Sequence, residues 1–129
     1  MQALQHLTIV DISGTIATCY SAKLFADYGA QVFNLESDEG FPTRKIKPFI
    51  PDTKESAMHG YLNTNKKSIR TLNPEELTKA DLVIYDQNIN QIDESTIETN
   101  TSAVSWFGKT GPYNQFKGSD AMIQSLIGQ

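Results

Sequence analysis

LTIVDISGTIATCYSAKLFADYGAQVFNLE, residues Leu7 to Glu36, reads as one strand, a crossover helix and a second, parallel strand. Leu7 to Ile12 is a short apolar, β-branched run of the kind that a strand buried on both faces requires. Ser13-Gly14-Thr15 turns the chain. From Ile16 to Tyr28 the apolar positions Ile16, Cys19, Tyr20, Leu24, Phe25 and Tyr28 recur mostly every three or four residues, which predicts a helix with these side chains on its buried face. Gly29 supplies the left-handed conformation that ends such a helix. Gln31 to Leu35 restarts the strand pattern and delivers Glu36 to its carboxyl end. Parallel strands need a crossover of this length, and ligands of open α/β sheets bind beyond the carboxyl ends of the strands. Ser13 to Ala17 and the residues from Glu36 onward therefore fall on the expected working edge.

The chain has 129 residues, which predicts one domain. With 39% hydrophobic and 20% charged residues it has the composition of an ordinary globular protein. A net charge of -4 argues against nonspecific nucleic-acid binding, though it leaves room for a local basic site. The single cysteine, Cys19, permits no disulfide or thiolate cluster within the chain and reads as a core thiol. MQALQHLTIVDI carries neither a basic leader nor a long apolar run, so no membrane association is expected and the cytoplasm is the expected compartment.

After Glu36, SDEGFPTRKIKPFIPDTKESAMHGYLNTN is a long connection without sustained periodicity that holds three of the five prolines. Lys45 and Lys47 among Phe41, Ile46, Phe49 and Ile50 read either as a surface loop pinned by a few apolar residues or as a lining for an anion. Asn63, Asn65, Lys66 and Lys67 offer phosphate-binding chemistry in one turn, although polar turns also serve solubility alone. A strand is predicted over Ser68 to Leu72. A short helix is predicted from an Asn73 cap to Lys79, then a buried strand over Ala80 to Tyr85, a helical or turn segment over Asp93 to Glu98, and a strand over Thr101 to Trp106. A glycine-punctuated loop follows to Tyr113. Ser119 caps a last helix that runs to Ile127, with Gly128 at its end. The alternation predicts an α/β domain with a mostly parallel sheet.

Generic chemistries find few parts here. The first turn has one glycine where a dinucleotide fingerprint needs three, although Glu36 stands where a ribose-binding acid would. There is no Walker A sequence, and His6 and His59 are too few for a histidine metal cluster or a Ser-His-Asp triad in view. Asp11, at the end of the first strand, is expected to hydrogen-bond the neighbouring turn.

Several stretches, in order, resemble the N-terminal part of the class III CoA-transferases, the CaiB/BaiF-type family that includes α-methylacyl-CoA racemase. VDIS and LFADYGAQVFNLES resemble the family's opening strand and its "LADLGAEVIKVE" segment. Thr43-Arg44 follows, then LNTNKKSI for "NRNKRSI", ADLVIYDQN for "ADVLVENF", VSWFGKTGPY for "SISGFGQTGPY", and GSDAMIQSLIG for "GYDLVAQALSG".

The resemblance implies a Rossmann-like domain whose strand ends and loops hold coenzyme A or an acyl-CoA as substrate, with no metal and with acyl transfer through a covalent aspartyl intermediate. It carries CoA contacts to Thr15 and Ile16 after the first strand, Thr71 on the adenine side, Asp86 and Gln87 at the "NF" position, and Lys117 near the phosphates. The family's nucleophilic aspartate falls beyond the position of Gln129, so no catalytic residue is assigned. Asp120 belongs to the GYD-like motif, whose preceding racemase histidine is Ser119 here. Ser37 replaces a basic residue that often follows "KVE". The segments between Leu72 and Ala80 and between Gln87 and Val104 are shorter than in relatives. These departures predict a catalytically incomplete fragment or reduced domain that works beside a further domain or subunit. Alternatively, it is a degenerate domain used for binding or assembly. Uncovered apolar surface predicts self-association. An unrelated flavodoxin- or dinucleotide-type module rests on fold analogy alone.

Overall fold

Five short strands form one parallel sheet in the order β3-β2-β1-β4-β5 in the computed structural model, which describes residues 2–71, 77–90 and 94–128. They are β1 (Thr8–Asp11), β2 (Gln31–Leu35), β3 (Lys67–Ile69), β4 (Leu82–Asp86) and β5 (Thr101–Val104). The first crossover is the expected one: Thr8 pairs with Gln31 and Asp11 with Asn34. On its other side β1 pairs with β4, from Ile9 with Leu82 to Asp11 with Ile84. The chain thus winds outward in both directions from β1, and the point of reversal lies between β1 and β4. Ladder pairing ends before Ile12 in β1 and before Trp106 in β5, so both strands are shorter than their apolar runs suggested. The third strand stops at Ile69, and Leu72 lies outside the described residues.

Helix α1 (Ile16–Asp27) begins where Thr15 Oγ1 accepts the Thr18 N–H, and the chain leaves it at Gly29, whose φ of 100° lies in the left-handed region. Its buried face keeps Cys19 and Phe25 from the expected one and differs in the rest. Thr18, Cys19, Ala22, Lys23 and Ala26 are buried, whereas Ile16, Tyr20, Leu24 and Tyr28 are 50, 49, 46 and 63% exposed. Small side chains let the helix lie close to the sheet, where Ala22 and Ala26 meet Ile9, Val32 and Ile84. The large apolar residues lie to one side of this face and form an uncovered stripe. Apolar spacing alone cannot distinguish these two faces, since both repeat at helical intervals.

The connection after Glu36 contains more structure than its sequence revealed. A 3₁₀ turn covers Pro42–Lys45, and helix α2 (Ala57–Leu62) starts where Ser56 Oγ accepts the His59 N–H at 3.1 Å. Of α2 only Leu62 is buried, so six residues with Gly60 among them leave almost no hydrophobic pattern to read. Leu62 joins Phe41 and Cys19 in a small core beneath α1. The Cys19 thiol is pushed up to about 12 by burial and by nearby Asp11, which suits a packed thiol and not a nucleophile. The donors between Asn63 and Lys67 are mostly spent internally. Lys66 Nζ donates to Cys19 O at 2.7 Å and to Asn63 Oδ1 at 3.1 Å, and Asn63 Oδ1 also accepts from Asn34 Nδ2.

The helix expected between Asn73 and Lys79 lies largely outside the described residues. Beyond β4, a 3₁₀ turn covers Glu94–Thr96 within the segment read as helix or turn. Helix α3 (Asp120–Ile127) has the expected cap, with Ser119 Oγ accepting the Met122 N–H at 3.3 Å, and Gly128 closes it at φ 81°. None of its residues is buried, and Met122, Leu126 and Ile127 stand exposed.

One close approach fixes the turn after β1. Gly14 has φ 64°, and a Cβ there would lie 2.0 Å from Cγ of the buried Phe41 ring. Gly14→Ala should therefore lower stability by about 2–4 kcal/mol, from the left-handed backbone and the overpacked ring together. Urea unfolding of Gly14→Ala, Phe41→Ala and the double variant checks this: the double variant should lose clearly less than the sum of the two.

Candidate functional site

The carboxyl edge of the sheet is organised by three polar side chains that the strands deliver there. Asp11, fully buried at the end of β1, accepts the N–H groups of Ser13 and Gly14 on Oδ1 at 3.0 and 3.1 Å. Burial raises its pKa, and those amides oppose the rise. Ser13 Oγ donates to Asn90 Oδ1 at 2.6 Å and accepts the Asp86 N–H at 2.7 Å, tying the end of β1 to the end of β4. Glu36, at the end of β2, accepts Arg44 through both carboxylate oxygens at 2.6 and 2.7 Å, the Phe41 N–H at 2.9 Å and Ser68 Oγ at 2.7 Å. Burial would raise its pKa, but Arg44, Ser68 and the Phe41 amide together bring it to about 2. This acid is therefore committed to its own loop and not presented to a ribose.

Among the described residues, concavities open at two places on this edge. A cavity of about 360 Å³ lies at the point of reversal between β1 and β4, walled by Ser13, Leu35, Gly40, Phe41, Ile89 and Asn90 among others. The first turn's amides already serve Asp11, and the Phe41 ring rests on Gly14. The anion nest that such a turn provides in dinucleotide-binding folds is thus filled from within.

The larger cavity, about 960 Å³, lies beyond β4 and β5. Tyr85, Gln87 and Asn88 come from the end of β4, Glu94 from the 3₁₀ turn, and Trp106, Phe107 and Lys109 from the loop after β5. Asn114 to Gly118 complete it. Phe107, Tyr113 and Phe116 pack as an aromatic cluster, with ring centroids 5.3–6.4 Å apart. A Cβ on Gly118 would lie 2.5 Å from Cγ of Trp106, so that position is kept bare to admit the indole. Glu94 Oε1 accepts from the Tyr85 hydroxyl, from Thr101 Oγ1 at 3.0 Å and from Lys109 Nζ. Lys109, Tyr85 and Thr101 hold the Glu94 carboxyl at about 2, and the carboxylate in turn raises Lys109.

Of the six residues expected to contact CoA, the structure brings Gln87 and Lys117 to this one cavity. Gln87 Oε1 is buried and has no hydrogen-bond partner among the described residues. Asp86 is buried beside it, with Oδ1 turned to the Asn88 N–H at 2.9 Å and to Asn88 Nδ2 at 2.8 Å. Thr15 caps α1 and Ile16 is exposed at its first position, both just past the end of β1. Thr71 is exposed just past β3, at the opposite edge of the sheet from β5. Four strand spacings separate those edges, about 19 Å, so only an extended ligand could touch all six. Sequence reasoning did not mark Tyr85, Glu94 or Lys109 as site residues. Lys109 stands inside the glycine-punctuated loop and was visible there as a cation, but nothing in the polar segment around Glu94 distinguished that acid.

Comparison with known proteins follows the same lines. The model of CoA-transferase family III matches residues 4–83. The chain is 28% identical over 149 residues to the BbsE subunit of succinyl-CoA:(R)-benzylsuccinate CoA-transferase from Thauera aromatica, covering 98% of this chain and 36% of that protein. It is 35% identical over 72 residues to succinyl-CoA:mesaconate CoA-transferase from Haloarcula hispanica, covering 56% of this chain and 18% of that one. A CAIB/BAIF family protein from Brucella suis superposes with a TM-score of 0.83 at 25% identity, over 97% of this chain and 39% of that structure. Rv3272 from M. tuberculosis shares the fold, with a TM-score of 0.78 at 18% identity over 98% of this chain and 41% of that structure. The chain thus spans about a third or less of the length of these curated relatives.

The buried Glu36 carboxylate couples folding to pH. Its folded pKa of about 2 lies below the ordinary 4.5, so its stabilising contribution is complete above about pH 5 and is lost as pH falls toward 2. The contribution is on the order of 3 kcal/mol. Denaturant unfolding of the wild type and Glu36→Gln across this range should show the two stability curves converging as the pH drops.

Proposed function

Because the chain belongs to CoA-transferase family III, we propose that it is a CoA-holding α/β domain of an enzyme that moves CoA between an acyl-CoA and a carboxylic acid. On this reading the domain is catalytically incomplete as given. It supplies the nucleotide side of the site, and the nucleophilic aspartate and acyl specificity come from a further domain or subunit. The observation that carries the reading is the cavity of about 960 Å³ beyond β4 and β5, with Gln87 and Lys117 both in its lining. Lys117 offers an ammonium to phosphate oxygens. The unpartnered Gln87 Oε1 leaves an acceptor whose burial costs about 1–3 kcal/mol, recoverable when a ligand hydroxyl or amide arrives. Thr15, Ile16, Asp86 and Thr71 remain candidate contacts for the rest of an extended CoA along the carboxyl edge. The names of the relatives, succinyl-CoA transferases in two cases, support a CoA thioester as the substrate class.

A second reading is a non-catalytic domain of the same ancestry used in binding or assembly. It is favoured by α3, none of whose residues is buried, and by the exposed stripe on α1. Light scattering of the purified chain over increasing concentration should then show self-association, and a strictly monomeric species at high concentration would count against it.

Calorimetric titration of the 129-residue chain with CoA and acetyl-CoA separates the readings. The CoA-holding reading expects measurable binding that weakens about three- to tenfold in Lys117→Ala, the loss of one charge-assisted contact. Binding of neither ligand would remove that reading and leave the assembly role.

A further inference from the structure

The geometry points to Lys109 as a second, masked cation of the larger cavity, released from Glu94 when a phosphate-bearing ligand enters. This inference rests on the CoA-holding reading but names a residue outside it. Lys109 lines the cavity and donates to Glu94 Oε1, so its charge is neutralised by that carboxylate. Three features make the pairing easy to exchange.

The first is exposure. The side chains of Lys109 and Glu94 are 42 and 38% exposed, and half-solvated pairs of this kind contribute little net stability. The second is that Glu94 is not left bare if Lys109 departs, because the Tyr85 hydroxyl and Thr101 Oγ1 still donate to the same oxygen. The third is a fixed backbone under a long side chain with several rotatable bonds. Asn114 Nδ2 donates to the Lys109 carbonyl at 3.1 Å, and the neighbouring Gly108 N–H donates to Ser105 Oγ at 2.9 Å. The Lys109 side chain extends from this anchored segment on four methylenes, and its Nζ lies 5.5 Å from the Tyr85 ring centroid. A rotation about those bonds redirects the ammonium without moving the loop.

The ligand chemistry follows from charge. A carboxylate such as Glu94 carries one negative charge, whereas a diphosphate carries more charge and more acceptor oxygens, so it outcompetes the acid for a shared ammonium. Lys117, in the same lining, then acts with Lys109 on one anion. Glu94 opposes anion binding by holding back a cation and by adding a negative charge to the wall.

The test uses the full chain and titrates inorganic pyrophosphate, CoA and the phosphate-free pantetheine into wild type, Glu94→Gln, Lys109→Gln and the double variant. Glu94→Gln should tighten pyrophosphate and CoA about three- to tenfold, with the gain fading at high salt, and should leave pantetheine unchanged. Lys109→Gln in the Glu94→Gln background should cancel the gain. Unchanged or weaker pyrophosphate binding in Glu94→Gln overturns the inference, as does an equal change for pantetheine, which would mark a loop-holding role. If wild type binds CoA but Glu94→Gln gains nothing, the masking fails while the CoA-holding reading stands. If CoA is not bound while pyrophosphate tightens, the reverse holds.

Discussion

The Asp11 carboxylate is the constraint on which the edge of this sheet depends. A buried acid in the central strand is costly unless donors reach it, and Asp11 obtains two for its Oδ1 from the amides of its own turn. That arrangement sets the path of Ser13 and Gly14, and the path does two further things. It aims the Ser13 hydroxyl at β4, where it joins Asn90 and the Asp86 amide. It also lays Gly14 flat against Phe41, drawing the long connection after β2 over the turn. The first crossover, the reversal of the sheet and the docking of the next loop are therefore coupled through one side chain.

Glu36 performs the equivalent task one strand over. Four donors from Arg44, Phe41 and Ser68 converge on it and fix the loop between β2 and the 3₁₀ turn against β3. In dinucleotide-binding α/β folds an acid at such a strand end faces the ligand. Here both acids are turned inward to shape loops, and the open space has shifted toward β4 and β5. The electrostatics there are different in kind. The ions paired at the larger cavity are half-solvated, whereas the carboxylates of Asp11 and Glu36 are buried and held.

Much of this was legible in the sequence where one residue type has one dominant reason to be present. Gly29, Ser119 and Gly128 marked helix ends, the apolar runs marked parallel strands, and Asp11 behaved as an acid at a strand end should. Legibility failed where two physical solutions share one pattern. The stripe Ile16, Tyr20, Leu24, Tyr28 and the face Cys19, Ala22, Ala26 have the same helical spacing, and close helix–sheet contact selected the smaller residues. Helix α2 was invisible because a six-residue helix that buries only Leu62 needs no pattern. The cavity wall at Glu94 and Lys109 arises from two segments brought together by β5, a juxtaposition that no local rule encodes. The family resemblance supplied Gln87 and Lys117 to that same cavity, since it reads positions across the chain together.

Gly118 and Trp106 give the cavity a further property. The sequence contains one tryptophan, and its indole sits at the cavity's lining against the bare Cα of Gly118. Light absorbed selectively by indole is therefore absorbed at this rim and nowhere else in the chain. The tyrosines are spread over α1, α2, β4 and the aromatic loop, so their emission averages the whole fold. The intrinsic tryptophan signal instead reports the polarity and packing of one place, and it does so in the unlabelled protein.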